Sequence, residues 1–176
     1  MDKKKLSAQR GIEAACILFQ LNSKRDDILA MARSAQMPEK YLHGEGAAVF
    51  CNEWRAFTHA VVTAGLMQYA PNSVLVGYLR QTGNLLANDA TSPQPSDAEV
   101  TAFVDGPFAQ YMPLLAHERQ AECPELFCQR IADQTAPHTN GGTQPNNHAK
   151  ARLAAMMAMV ISAINDKLGE YVIGAE

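Results

Sequence analysis

From Gly46 to Tyr69 the chain reads GAAVFCNEWRAFTHAVVTAGLMQY, without proline, with the only tryptophan, and without a formal charge after Arg55. At about 100° per residue, Ala47, Phe50, Cys51, Trp54, Phe57, Thr58, Val61, Val62 and Tyr69 spread over one broad arc. That arc is wider than the apolar stripe of a surface helix. Opposite it Glu45, Asn52, Arg55, His59 and Thr63 form a narrow polar stripe, at spacings that stack side chains above one another. Val49, Ala60, Ala64 and Met67 lie between the two, with Glu53 the one charge among them. The polar residues do not alternate and the stretch is too long for a strand. It therefore predicts a helix over about 46–70 that other elements cover on most sides.

At 176 residues the chain is long enough to supply that cover within a single domain spanning 1–176. Apolar residues at 47% against charged residues at 19% place it among globular rather than disordered sequences. A net charge of −3 speaks against a nucleic-acid partner, which would favour a basic surplus. The one basic run, Lys3 to Lys5, reads as a solvated end. No apolar run approaches the roughly 20 residues a bilayer span requires, so no membrane partner is expected. Lys3–Lys5 followed by Cys16–Leu21 imitates a leader peptide, but Arg10 and Glu13 interrupt it and no small-x-small site follows. The expected location is cytoplasmic, and Cys16, Cys51, Cys123 and Cys128 are expected as reduced thiols rather than a disulfide framework.

Along the chain, a first helix is expected from about Lys3 to Leu21, turning Leu6, Ile17, Leu18 and Leu21 inward and weakened or bent at Gly11. Asp26 or Asp27 would cap a second, through Ile28, Leu29, Met31, Ala32 and Ala35, with Pro38 beyond it as a stop. Pro71 ends the central helix. The next carries Val74, Leu75, Tyr78, Leu79, Leu85 and Leu86. Residues 88–97 read as an irregular loop closed by the capping pair Ser96 and Glu99, ahead of a short helix to about Val104. Pro113 should kink or split the segment from Phe108 to Leu115. Cys123-Pro124-Glu125 starts another helix. Residues 137–148, with Gly141, Gly142 and Pro145, read as a second irregular loop.

The last helix, about Ala149 to Leu168, has Leu153, Met156, Met157, Val160, Ile161, Ile164 and Leu168 on one side. Ala151, Ala154, Ala155, Ala158, Ser162 and Ala163 occupy the other positions, small enough to admit a second helix closely. This helix is either a second buried element or half of a dimer interface. The fold class is all-α, a single-domain bundle of about seven helices around the long central one.

Two places carry residue types suited to chemistry. Asn52, Arg55, His59 and Thr63, a turn apart on the central helix, would bind an anion or carboxylate if the stripe faced a cavity, with the Arg55 guanidinium as the fork. Cys123 sits at a helix start, where free N–H groups favour thiolate, with His117 nearby and Cys128 as a conceivable resolving thiol. A zinc set of His117, Cys123, Cys128 and His138 lacks a tightly spaced pair, so neither a metal nor a cofactor is expected. No zincin, phosphate-loop, nucleophile-elbow or dinucleotide pattern is present, and no catalytic residue is assigned. The resulting expectation is a non-enzymatic helical protein-binding module, an adaptor, chaperone-like protein or accessory subunit, that associates with itself as a homodimer. The alternative is a small-molecule or anion-binding helical domain, or an enzyme, using Arg55 and His59.

Overall fold

The structure, a computed structural model, describes residues 3–86, 104–135 and 145–174. It is an all-α bundle of seven helices among the described residues, arranged around one long helix. They are α1 (Ala8–Leu21), α2 (Arg25–Ser34), α3 (Gly44–Tyr69), α4 (Asn72–Leu86), α5 (Ala109–Ala116), α6 (Cys123–Thr135) and α7 (Asn147–Gly169). Helix α3 touches each of the other six, and the buried side chains form one continuous cluster. From Ala56 to Thr63 every residue of α3 is buried, which is the cover that the broad apolar arc required.

Local chemistry accounts for the helix ends. The Ser7 and Asn146 side chains accept bonds from the backbone N–H groups of Arg10 and Ala149 and so cap α1 and α7. Asp26 and Asp27 do not cap α2; they lie in its first turn, where a carboxylate still complements the helix dipole. Pro71 follows an extended Ala70 at the end of α3. The expected break at Pro113 falls earlier instead. Val104–Phe108 is a wide turn, non-helical at Gly106, and Pro113 sits inside the short α5. Residues 88–97, the Ser96/Glu99 pair and most of the 137–148 segment lie outside the described residues, while Asn147 and His148 belong to α7.

Three expectations about the outer helices need correction. Lys4–Leu6 is not helical: it is a short strand, β1, paired in parallel with β2 (Tyr171–Ile173), Lys4 opposite Tyr171 and Leu6 opposite Ile173. Gly11 neither bends nor breaks α1. A Cβ there would run into the side chain of Ile173, so the glycine is what lets β2 lie against the helix. Finally, α1 turns Gly11, Ala15, Cys16 and Phe19 inward and leaves Ile17 and Leu21 more than half exposed. Gly11, Ala15 and Cys16 share this side with Phe19, while Ile12 packs over Gly77 of α4.

Helix α7 is amphipathic in the expected phase. Leu153, Met157, Ile161, Ile164 and Leu168 are buried, and Met156 and Val160 are half-buried. The small residues do not face α3. Ala151, Ala155, Ala158, Ser162 and Ala163 point outward, with Met159 beside them at 71% exposure.

The turn Glu39–Tyr41 lies across the start of α3, and any Cβ at Gly46 would collide with the Lys40 carbonyl. Gly46→Ala is therefore expected to cost about 2 kcal/mol or more, despite alanine's better helix propensity. A urea midpoint equal to or above that of the unaltered chain would refute this close approach.

Candidate functional site

The polar residues of α3 divide between two neighbourhoods, and the sequence-predicted stripe is not one of them. Asn52 is exposed. Arg55 is half-buried, and its Nε donates to the Ser23 carbonyl at 3.0 Å, beside the Trp54 indole, which donates to the Asn22 carbonyl at 3.2 Å. Together these two side chains clasp the α1–α2 turn to α3. The Ser23 hydroxyl and Asn22 amide complete the turn by donating to the carbonyls of Phe19 and Leu18.

His59 and Thr63, one and two turns further on, lie inside the protein. Thr63 donates to the His59 carbonyl at 2.8 Å, a local bond within the helix. Among the described residues, the His59 ring meets aromatic rings from three segments. Phe19 of α1 meets it edge-on at 5.7 Å between centroids, Tyr78 of α4 lies at 5.3 Å, and Phe108 at 5.4 Å. Its Nδ1 is 2.9 Å from the Tyr78 hydroxyl. Burial lowers the His59 pKa to about 4 and raises that of Tyr78, the latter helped by the nearby Cys16. At neutral pH the imidazole is uncharged. An anion would find there neither positive charge nor an approach from water.

The second neighbourhood grows from Glu53, the lone charge that the helical projection placed among apolar residues. Its side chain is 2% exposed. Arg130 Nε of α6 donates to Oε1 at 2.5 Å, the Tyr111 hydroxyl of α5 donates to the same oxygen at 2.8 Å, and Gln134 Nε2 donates to Oε2 at 3.1 Å. One carboxylate thus joins α3, α5 and α6. Burial, followed by the charge and hydrogen bond of Glu53, raises the Tyr111 pKa well above its usual value. Tyr111 accordingly stays a hydrogen-bond donor. Around the cluster the rings of Phe50, Trp54, Phe57 and Phe127 interlock, with Phe50 and Phe127 edge-on at 5.2 Å. This dry wall strengthens the ion pair and would make its loss expensive.

The sequence pattern contained a signal for this cluster that the polar-stripe reading passed over. A single carboxylate on the covered part of a helix requires a buried partner. Arg130 and Gln134, one turn apart on α6, supply it.

Cys123 is the first residue of α6, as expected, yet it is fully buried. Burial, with the charge of Glu122 adding to it, pushes its thiol up to about 11, opposite to the direction the helix start alone would give. Cys128 is likewise fully buried and pushed up to about 11 by burial. The Cys123 neighbourhood therefore holds a thiol, not a thiolate. Arg119 and Glu122, just before it, pair with each other in solvent.

A shallow depression of about 470 Å³ lies between α5 and α6, walled by Pro113, Leu114, Leu126 and Gln129, with Glu122 and Glu125 at its rim. Glu122 is engaged by Arg119 and Glu125 by Lys150. None of Asn52, Arg55, His59 and Thr63 lines it.

Two measurements test these assignments. Arg130→Ala is expected to cost about 3 kcal/mol because it leaves the Glu53 carboxylate buried without its cation, whereas replacing both Glu53 and Arg130 by methionine should cost less than Arg130→Ala alone. An Arg130→Ala midpoint unchanged in urea would rule out the ion pair as a structural clasp. The second concerns pH. Unfolded His59 takes up a proton near pH 6.5 and folded His59 only near 4, so between those values the unfolded chain binds more protons. His59 thus contributes a loss of about 3 kcal/mol as pH falls through that window. His59→Gln should flatten this part of the stability–pH curve, and identical curves for the two chains would refute it. Comparison of the chain with family models, curated proteins and solved structures finds no match.

Proposed function

We propose that this chain is a non-enzymatic helical module that binds protein, with a second copy of itself as the first partner, through the outward face of α7. The observation that carries this reading is the composition of that face. Ala151, Ala155, Ala158 and Ser162, at helical spacing, are all exposed, and Met159 stands out beside them at 71% exposure. Small residues let two helix backbones approach closely, and a methionine adapts to the surface it meets. A two-fold pairing sets such a stripe against its own copy, so that one face serves both partners.

The anion-binding alternative has less support. Arg55 is committed to the Ser23 carbonyl, and His59 is an uncharged ring held in the core. The thiol alternative meets a Cys123 that burial keeps protonated. The four buried, unbridged cysteines favour a reducing compartment, the cytoplasm, as the place where the module works.

Light scattering coupled to size-exclusion chromatography tests the reading. The unaltered chain is expected at twice its monomer mass, and Ala155→Arg or Ala158→Arg at the monomer mass with an unchanged thermal midpoint, since both positions are exposed. A strict monomer at every concentration, or a dimer that both arginines leave intact, would remove this face from consideration.

A further inference from the structure

His59 is the one imidazole in the described residues that lies in the core, and it sits where the α1–α4 layer meets α3. Phe19 approaches it from α1, and Tyr78 approaches from α4. These two outer helices also pair closely with each other, through Cys16 with Gln81 and Ile12 over Gly77. Helix α1 is fastened elsewhere at both ends, at its beginning by β1 on β2 and by Gly11 against Ile173, and at its end by the Trp54 and Arg55 bonds to the α1–α2 turn. The body of α4 instead meets α3 at the seam around His59, through Tyr78.

We propose that the His59–Tyr78 contact is an acid-sensitive latch, whose protonation releases α4 from α3 while α1, held at both ends, and the α3–α6–α7 core stay folded. An imidazolium buried against the rings of Phe19, Tyr78 and Phe108 needs its charge solvated. The cheapest way to solvate it is a local opening of α4, since such openings occur well below the free energy of global unfolding. Among the described residues, the titratable and charged groups on the surrounding elements are Glu45, Cys51, Glu53, Arg55 and Tyr69 on α3, Arg10, Glu13 and Cys16 on α1, Tyr78 and Arg80 on α4, and Asp105 beside Phe108. Arg55 is bound to a carbonyl and Asp105 is exposed, and burial is the cause that governs the His59 proton affinity. The remaining core has its own attachment, Glu53 with Tyr111 of α5 and with Arg130 and Gln134 of α6.

Native-state hydrogen exchange of the full chain at about pH 7.5 and about pH 5 tests the latch. Amides of α4 are expected to exchange through an opening of lower free energy than those of α7 at both values. That opening should become about thirtyfold more populated at the lower pH, and His59→Gln should abolish the increase. A single opening shared by all seven helices, or an undiminished increase in His59→Gln, overturns the proposal. Should His59→Gln not fold, nuclear magnetic resonance titration of His59 in the unaltered chain decides instead. A ring that titrates near 6.5 while α4 remains protected overturns the latch, and one whose titration tracks the loss of α4 protection supports it.

Discussion

A helix covered along most of its length has little room to leave a charge, and α3 imposes that condition on the helices packed around it. Its backbone bonds are satisfied internally, so the neighbours have only side chains to answer for. Each polar group that α3 carries inward must then be met from another helix or by its own backbone. Glu53 is met by three donors from α5 and α6, His59 by the Tyr78 hydroxyl, and Thr63 by a carbonyl one turn back. Thr58 is the exception among the described residues, a fully buried hydroxyl without a partner. The arrangement of the outer helices is to a large degree the arrangement of these answers.

Burial alone would hold α3 in place without fixing its rotation about its own axis, because its apolar arc is so broad. The polar attachments remove that freedom. Trp54 and Arg55 clasp the α1–α2 turn, Glu53 points to α5 and α6, and His59 points to α1 and α4. A rotation by one residue, about 100°, would strand a carboxylate in the aromatic cluster. Specificity here comes from few groups placed in a background of interchangeable apolar ones.

Much of the architecture was legible in the sequence, because long helices with apolar periodicity announce themselves. The 46–70 stretch and the last helix, with its inward leucines and isoleucines, were found close to Gly44–Tyr69 and Asn147–Gly169. What escaped was set by neighbours distant in the chain. Lys4–Leu6 looks like the approach to a helix until Tyr171–Ile173 lies beside it, and the phase of α1, with Gly11, Ala15, Cys16 and Phe19 inward, follows from the packing of α3 and α4 against it. The candidate site misled for a related reason. A helical projection ranks residues by what surrounds them on one helix, so His59 seemed to share a stripe with Asn52 and Arg55. In the structure one is exposed, one half-buried and one in the core. Glu53, the lone charge among apolar residues in that projection, is the best-connected polar group of α3, through Arg130, Tyr111 and Gln134, far along the chain.

The parallel pair of strands joins the two stretches of the structure that are furthest apart in sequence, Lys4–Leu6 and Tyr171–Ile173. Closing so large a loop for three residues of ladder is entropically unfavourable unless the intervening helices have already brought the ends near. These strands therefore cannot nucleate the fold; they record its completion, forming after α3 and α7 have docked. By the same reasoning the pair lasts only while the helices that bring its ends together stay docked, so an ordered β1–β2 pair reports on the packing of α3 and α7.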